Sequence, residues 1–348
     1  MKSFQNNYIE SIPITHNVLQ TIRLIGEYKG KQDLFKEQSP QLLETLKQTA
    51  IIQSIESSNR IEGISAPLER IKAIASDKTT PANRSEQEIA GYRNVLNTIH
   101  SSFEHIPVST NIVLQFHRDI YALSAVPGGN FKTTENEIAE VYPDGSKVVR
   151  FKPVSAFETP GAMETLHTLF NSEMDKSQLE PLLIIATYVF DFLCIHPFND
   201  GNGRMSRLLS LLLLYKSGYE AGRFISLEKL IEDNKESYYD ALTKSSQNWH
   251  EGKHNLIPWW EYFLGILLKA YKDFEGRVGL ISSARGGKSA IVLDVIRNLK
   301  GDFTVHDLLD KCPTIKIDLI RKLLQKEKEK GNVDCSGRGP DAKWHKLR

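Results

Sequence analysis

The strongest constraint on the fold is a recurrence of apolar residues every three to four positions along most of the chain. Between 43 and 62, Leu43, Leu46, Ile51, Ile52 and Ile55 keep this spacing, which gathers them on one stripe of an amphipathic helix. The same pattern predicts helices over 85–103, 111–122, 160–174, 180–195, 203–217 and 258–275. Ser85 and Glu88 have capping-box spacing at the start of the first of these, and Pro258 suits the first turn of the last. LLIIATYVFDFLCI, 182–195, is the longest apolar segment and is broken by Asp191. It is too short to cross a bilayer and reads as a buried core helix. A hydrophobic content of 40% with 25% charged residues is enough for a sizeable core.

One stretch breaks the helical rule. NEIAEVYPDGSKVVRFKPV, 136–154, alternates around Pro143-Asp144-Gly145-Ser146, the pattern of a β-hairpin with Asp-Gly at the turn. A lone hairpin is marginal and must be held by the body; its open edge is a template for an extended peptide. Further on, GRVGLISSARGGKS, 276–289, reads as a linker. Gly287-Lys288-Ser289 imitates the end of a P-loop, but Ser282 stands where the first glycine is required and no clear strand precedes it.

The net charge of +1 argues against bulk attraction to nucleic acid or membrane. The charge is uneven, however: residues 285–348 hold 15 Lys+Arg and 9 Asp+Glu, or +6, and the remainder 29 and 34, or −5. A basic tail domain on an acidic body is indicated. Cys194, Cys312 and Cys335 show no CxxC spacing, so reduced thiols in a cytoplasmic protein are expected. MKSFQNNYIES lacks the apolar run of a signal peptide, and no membrane association is expected.

Residues 196–207 read HPFNDGNGRMSR. Pro197 disfavours helical geometry just before it, so the preceding helix should end near Ile195. A new helix starts near Gly203, placing Asp200-Gly201-Asn202-Gly203 at a helix N-terminus, where free N–H groups and the helix dipole favour an anion. Gly201 and Gly203 allow close approach of the backbone to phosphates, and the Asn202 amide can donate to one. Arg204 and Arg207, at i and i+3, share a face and could grip phosphates by forked hydrogen bonds. Asp200 suits Mg²⁺, which takes one or two carboxylates plus phosphate oxygens. His196 has the pKa of a base near neutrality, and Phe198 reads as the apolar anchor of the loop.

These residues resemble the signature of Fic-domain proteins at every defining position. The resemblance implies a mostly α fold: a Fic-type helical core with a β-hairpin flap that pairs with an extended segment of a target protein. It implies transfer of AMP from ATP to a Ser, Thr or Tyr hydroxyl of that protein, with pyrophosphate leaving. His196 would be the general base, Asp200 would hold Mg²⁺, and Asn202, Arg204 and Arg207 would bind phosphates. The hairpin at 136–154 sits where the flap is expected. Tyr238-Tyr239 resembles a tyrosine pair lining the nucleotide pocket of some relatives, with core packing as the competing reading.

Ser58-Asn59-Arg60-Ile61-Glu62-Gly63 ends the helix at 43–62. Gly63 is a good helix stop, and Ser58 and Glu62 lie on one face at i and i+4. The stretch resembles the inhibitory motif of the same family, which implies that Glu62 pairs with Arg207 and denies ATP a productive pose. In some relatives the equivalent glutamate helps to remove AMP, and a phosphotransferase variant carries lysine where Gly203 stands; Gly203 argues against the latter.

The tail, 288–348, carries apolar stripes at Ile291, Val292, Val295, Ile296 and Leu299 and at Ile315, Leu319, Ile320, Leu323 and Leu324. Thr304 and Asp307 mark a capping-box-like start between them, and two short strands should flank Gly337-Arg338-Gly339. Three helices and a basic hairpin resemble a winged helix-turn-helix, in which the third helix would enter a DNA groove and Arg338 would reach the backbone or minor groove. The expected organisation is therefore an N-terminal helical region (1–84), a Fic core (85–275), a linker (276–287) and a C-terminal winged-helix domain (288–348). Partners in view are a target protein at 136–154, DNA at 288–348, and a second copy of the chain. The competing function is a nucleotide-responsive DNA-binding regulator, against which the intact His196 and Asp200 argue.

Overall fold

The computed structural model describes every residue except 1, 39, 142–146, 283–286, 300, 314, 338, 340, 341 and 348. At its centre is α8, Pro181–Ile195, in which every residue from Leu182 to Ile195 is buried. Each large aliphatic side chain fully withdrawn from water contributes about 1.5–3 kcal/mol, so this helix anchors the core. Around it pack α7 (Thr159–Lys176), α9 (Asn202–Lys216) and α12 (Ile257–Ser282). Tryptophans stitch the shell to it: Trp259 Nε1 donates to Ala186 O at 2.6 Å and Trp260 Nε1 to Thr187 Oγ1 at 3.0 Å. Asp191 is tolerated inside because Trp249 Nε1 and Ser3 Oγ donate to its Oδ1 at 2.7 and 2.6 Å.

The N-terminal part consists of α1 (Tyr8–Ser11), α2 (His16–Gln38), α3 (Pro40–Ile61) and α4 (Leu68–Ala75). Sequence periodicity misses α2. Its stripe is thin: Val18 and Ile25 are buried, whereas Leu19 and Leu34 are exposed. What holds it is packing along α12. Next come α5 (Arg84–Ser102) and α6 (Thr110–Ile120). The expected cap on α5 is corrected. Asn83, not Ser85, is the N-cap, its Oδ1 accepting from Glu86 N at 3.0 Å, and Glu88 turns inward to Arg204.

The hairpin comprises β1 (Ile138–Val141) and β2 (Lys147–Phe151), antiparallel, with a register irregularity between Ile138 and Ala139. Its turn residues Pro143 to Ser146 lie outside the described residues. The body holds its base: Phe151 stacks on His250, and His250 Nε2 lies 2.7 Å from Lys152 O. Two short helices missed by periodicity, α10 (Leu227–Asp233) and α11 (Lys235–Ser246), precede α12, which runs on to Ser282 with Val278 buried, so residues 276–282 of the expected linker are helical.

The tail comprises α13 (Gly287–Asn298), α14 (Val305–Lys311), α15 (Ile317–Glu329) and the antiparallel pair β3 (Val333–Ser336) and β4 (Lys343–Lys346). Thr304 and Asp307 form a reciprocal capping box, and Phe303 bridges to Trp344. Arg338 lies outside the described residues. Among the described residues, no helix is long and apolar enough to cross a membrane.

Candidate functional site

Residues 196–201 connect α8 to α9, with His196 in the left-handed region at φ 51° and ψ 61°. Its Nδ1 lies 3.3 Å from Leu193 O. Nδ1 therefore carries the proton and donates, leaving Nε2 as the bare nitrogen. Burial, reinforced by the Lys132 ammonium, lowers the His196 pKa to about 4. At neutral pH the ring is thus an unprotonated base. Phe198 is fully buried and stacks on His117 with ring centroids 3.7 Å apart. His117 also clasps the loop: Gly129 N donates to Nδ1 at 2.9 Å, so Nε2–H donates to Asp200 O at 3.1 Å.

Asp200 leaves 61% of its side chain exposed. Its Oδ1 accepts from Gly201 N at 2.7 Å and its Oδ2 from the Tyr121 hydroxyl at 2.8 Å. An oriented carboxylate that stays open to solvent beside a helix start fits one hard cation shared with phosphate oxygens. Among the described residues no cluster of three or more His, Cys, Asp or Glu could hold a metal alone. Gly201, at φ 83°, needs a glycine's conformational freedom.

The remaining motif residues divide. Asn202 is buried and braces the loop, its Oδ1 accepting from Phe198 N at 2.9 Å and its Nδ2 donating to Phe198 O at 2.7 Å. One of the two Asn202 amide hydrogens is thus engaged internally. Arg204 and Arg207 are both buried and turn to different partners. Arg204 is fully buried, with Nη1 donating to Glu88 Oε2 at 2.7 Å and Nη2 to the Tyr121 hydroxyl at 2.6 Å. It pairs with Asp200 at 3.5 Å and braces it through Tyr121, while Glu88 supplies the buried counter-charge that its position demands.

Arg207 turns to α3. Its Nε donates to Ser58 Oγ, and its Nη2 to Ser58 O and Glu62 Oε1, each at 2.8 Å. Burial opposes the Arg207 charge, yet Glu62 and its other neighbours hold its pKa above the ordinary value. Glu62 lies against α9 so closely that a Cβ added at Gly203 would come within 2.1 Å of Glu62 Oε1. Tyr238 is 4% exposed and packs on Trp259 and Tyr262, while Tyr239 is 43% exposed.

The loop signature, the helix behind it and the bracing from α6 coincide with one conserved unit: the Fic/DOC family profile matches residues 107–214. Residues 107–214 are thus similar to a Fic domain. The chain is 28% identical over 218 residues to the protein adenylyltransferase Fic of Drosophila grimshawi, covering 59% of this chain and 42% of that protein. It is 26% identical over 214 residues to the protein of the same name from Culex quinquefasciatus, covering 59% and 39%. The match thus spans about two fifths of these relatives' length. The fold is shared with a Fic family protein from Desulfovibrio desulfuricans G20, at TM-score 0.62 and 20% identity over 96% of this chain and 97% of that one. It is also shared with a Fic-domain-containing signalling protein from Bacteroides thetaiotaomicron, at TM-score 0.60 and 22% identity over 72% and 94%.

Periodicity could not reveal Glu88, His117, Tyr121, Lys132 and Asn136, all of which hold the Fic loop. His117 and Tyr121 stand at i, i+4 at the end of α6, a spacing that says nothing of the loop they hold.

Proposed function

We propose that the chain is a protein adenylyltransferase that moves AMP from ATP to a Ser, Thr or Tyr hydroxyl of a target protein and is restrained by Glu62. The observation that carries this reading is His196, its Nδ1 bonded to Leu193 O so that Nε2 is free, in the loop leading into α9, whose buried Arg207 is held by a carboxylate. A target hydroxyl would give its proton to His196 Nε2 as its oxygen bonds to the α-phosphorus. The bond from the α-phosphorus to the bridging oxygen would break, and pyrophosphate would leave. The first backbone N–H groups of α9 and, once released, Arg207 would carry the phosphate charge. Asp200 would hold Mg²⁺, which when bound supplies charge neutralisation at the phosphates. Positioning and electrostatics supply most of the acceleration in such a step.

Glu62 competes with phosphate for the Arg207 fork. An extended segment of the target would pair with the hairpin at 136–154, where Val148 and Val149 are exposed. The free cysteines suit the cytoplasm. The decisive experiment labels protein with ATP carrying the label at the α- or the γ-phosphate, using wild type, Glu62→Gly and His196→Ala. Label from the α position alone, raised by Glu62→Gly and abolished by His196→Ala, is expected. Label from the γ position would mean phosphoryl transfer and overturn the reading.

A second reading concerns the tail, which we take as a winged helix. Lys316, Arg321, Lys322 and Lys326 are exposed on or beside α15 and enter no ion pair among the described residues. This row suits a phosphate backbone. A mobility-shift series in salt with the full chain tests it; no binding at low salt would leave protein docking as its role.

A further inference from the structure

The segment 129–137, between α6 and β1, runs beside the catalytic loop and leads into the hairpin stretch, which opens with Asn136. Lys132 is 3% exposed. Its ammonium donates to Ile195 O at 3.1 Å and to Asn136 Oδ1 at 2.8 Å. That second bond fixes which way the Asn136 amide points. Asn136 Nδ2 then lies 3.3 Å from His196 O and 3.0 Å from Phe198 O. The Lys132 backbone N–H donates to Pro197 O at 2.9 Å. Each of the four successive carbonyls from 195 to 198 thus accepts a hydrogen bond from Lys132 or Asn136. The cation also stands at the C-terminus of α8, where the helix dipole favours it.

This clamp closes on a strained residue. A left-handed conformation is uncommon for a non-glycine residue and persists only where the surroundings over-determine it. We propose that Lys132 and Asn136 are positioning residues for the transfer step: they hold the 195–198 backbone so that His196 keeps the left-handed turn that presents its free Nε2 to the incoming hydroxyl. The assignment rests on the adenylyl-transfer reading. The electrostatics agree with it. Lys132 adds to burial in keeping His196 unprotonated, while Glu62 and Asp200 act in the opposite direction. Lys132 itself is lowered to about 8 by burial, with Glu135 opposing.

The test uses the full chain with Glu62→Gly as parent, and compares Lys132→Met, Lys132→Arg and Asn136→Ala. In steady-state AMP transfer, Lys132→Met and Asn136→Ala should lower kcat by about 10-fold or more with KM for ATP changed by less than about 2-fold. Lys132→Arg should recover much of the loss, since it restores a cation and donors. The second readout needs no activity: NMR titration of histidine-labelled protein, with the His196 resonance assigned by its loss in His196→Ala. The His196 pKa should rise above about 4 in Lys132→Met but stay below the ordinary value, since burial remains, and its ring resonance should shift in Asn136→Ala. An unchanged kcat, or an unchanged His196 titration with Lys132→Met, overturns the proposal. If the parent transfers no AMP, the adenylyl-transfer reading fails, and the His196 titration still decides whether the clamp acts on the base. Should Lys132→Met not fold, Asn136→Ala, which removes no charge, decides by the same readouts.

Discussion

Glu62 Oε1 is 2.8 Å from Arg207 Nη2 and occupies the space into which a side chain at Gly203 would project. The pair joins the end of α3 to the first turns of α9, so the carboxylate lies against the start of that helix. A preference of about 1.4 kcal/mol for the paired state suffices for a tenfold restraint. Glu62→Gly is therefore expected to raise ATP-dependent labelling by about tenfold or more, measured with α-labelled ATP. An unchanged rate would mean that Glu62 is not the brake.

The burial of Arg204 makes Glu88 the more vulnerable partner. Arg204 is 0% exposed in its side chain and Glu88 3%. Removing one member of a buried ion pair strands the other charge, at a cost of about 3–5 kcal/mol. Glu88→Ala should lose that much stability in urea unfolding. Glu88→Gln, which keeps an acceptor for Arg204, should lose less.

Tyr121 links this pair to Asp200. Its hydroxyl donates to Asp200 Oδ2 at 2.8 Å and accepts from Arg204 Nη2 at 2.6 Å. Outer-shell partners of this kind are worth about 10–100-fold in metal affinity. Tyr121→Phe is expected to weaken Mn²⁺ binding in the presence of ATP by an amount in that range, read by electron paramagnetic resonance. Equal Mn²⁺ affinity in the two proteins would show that the hydroxyl does not orient Asp200 for the ion.

Buried histidines set the acid limit. Burial lowers the pKa of His117, His167 and His254 to about 4, and of His100 to about 3. The unfolded chain binds these protons near pH 6.5, whereas the folded chain resists them. The unfolded state therefore holds more protons as pH falls from 6.5 toward 4, and stability falls with it. These groups contribute no further change above about pH 7. Thermal unfolding followed from pH 8 to 4 should show a flat upper range and a declining melting temperature below about 6.5. For His196, lowered to about 4 by burial, the acidic limb of transfer should likewise lie below neutrality.

The cap on α5 offers a smaller test. Asn83 Oδ1 accepts from Glu86 N at 3.0 Å, and Asn83→Ala should cost about 1 kcal/mol. Ser85→Ala should cost little, because Ser85 is not the cap.

How far the sequence could be read depended on how local each signal was. The buried helix ending at Ile195, the glycine stop at Gly63 and the capping box at Thr304 and Asp307 are written within a few residues, and each is legible. So is the loop from His196 to Arg207, because a helix N-terminus after a proline-broken helix is a local event. Helix α2 was not legible: its stripe is weak, and α12 supplies the packing that keeps it helical. The roles of the two arginines could not be separated either. They are equivalent along the chain at i and i+3, and they part only because Glu88 of α5 claims one while Glu62 of α3 claims the other. The sequence by itself determined the elements and the chemical groups of the loop. The tertiary structure alone decided which of those groups stay open to a ligand, because burial and buried counter-charges come from residues tens to more than a hundred positions away, and no local pattern encodes them.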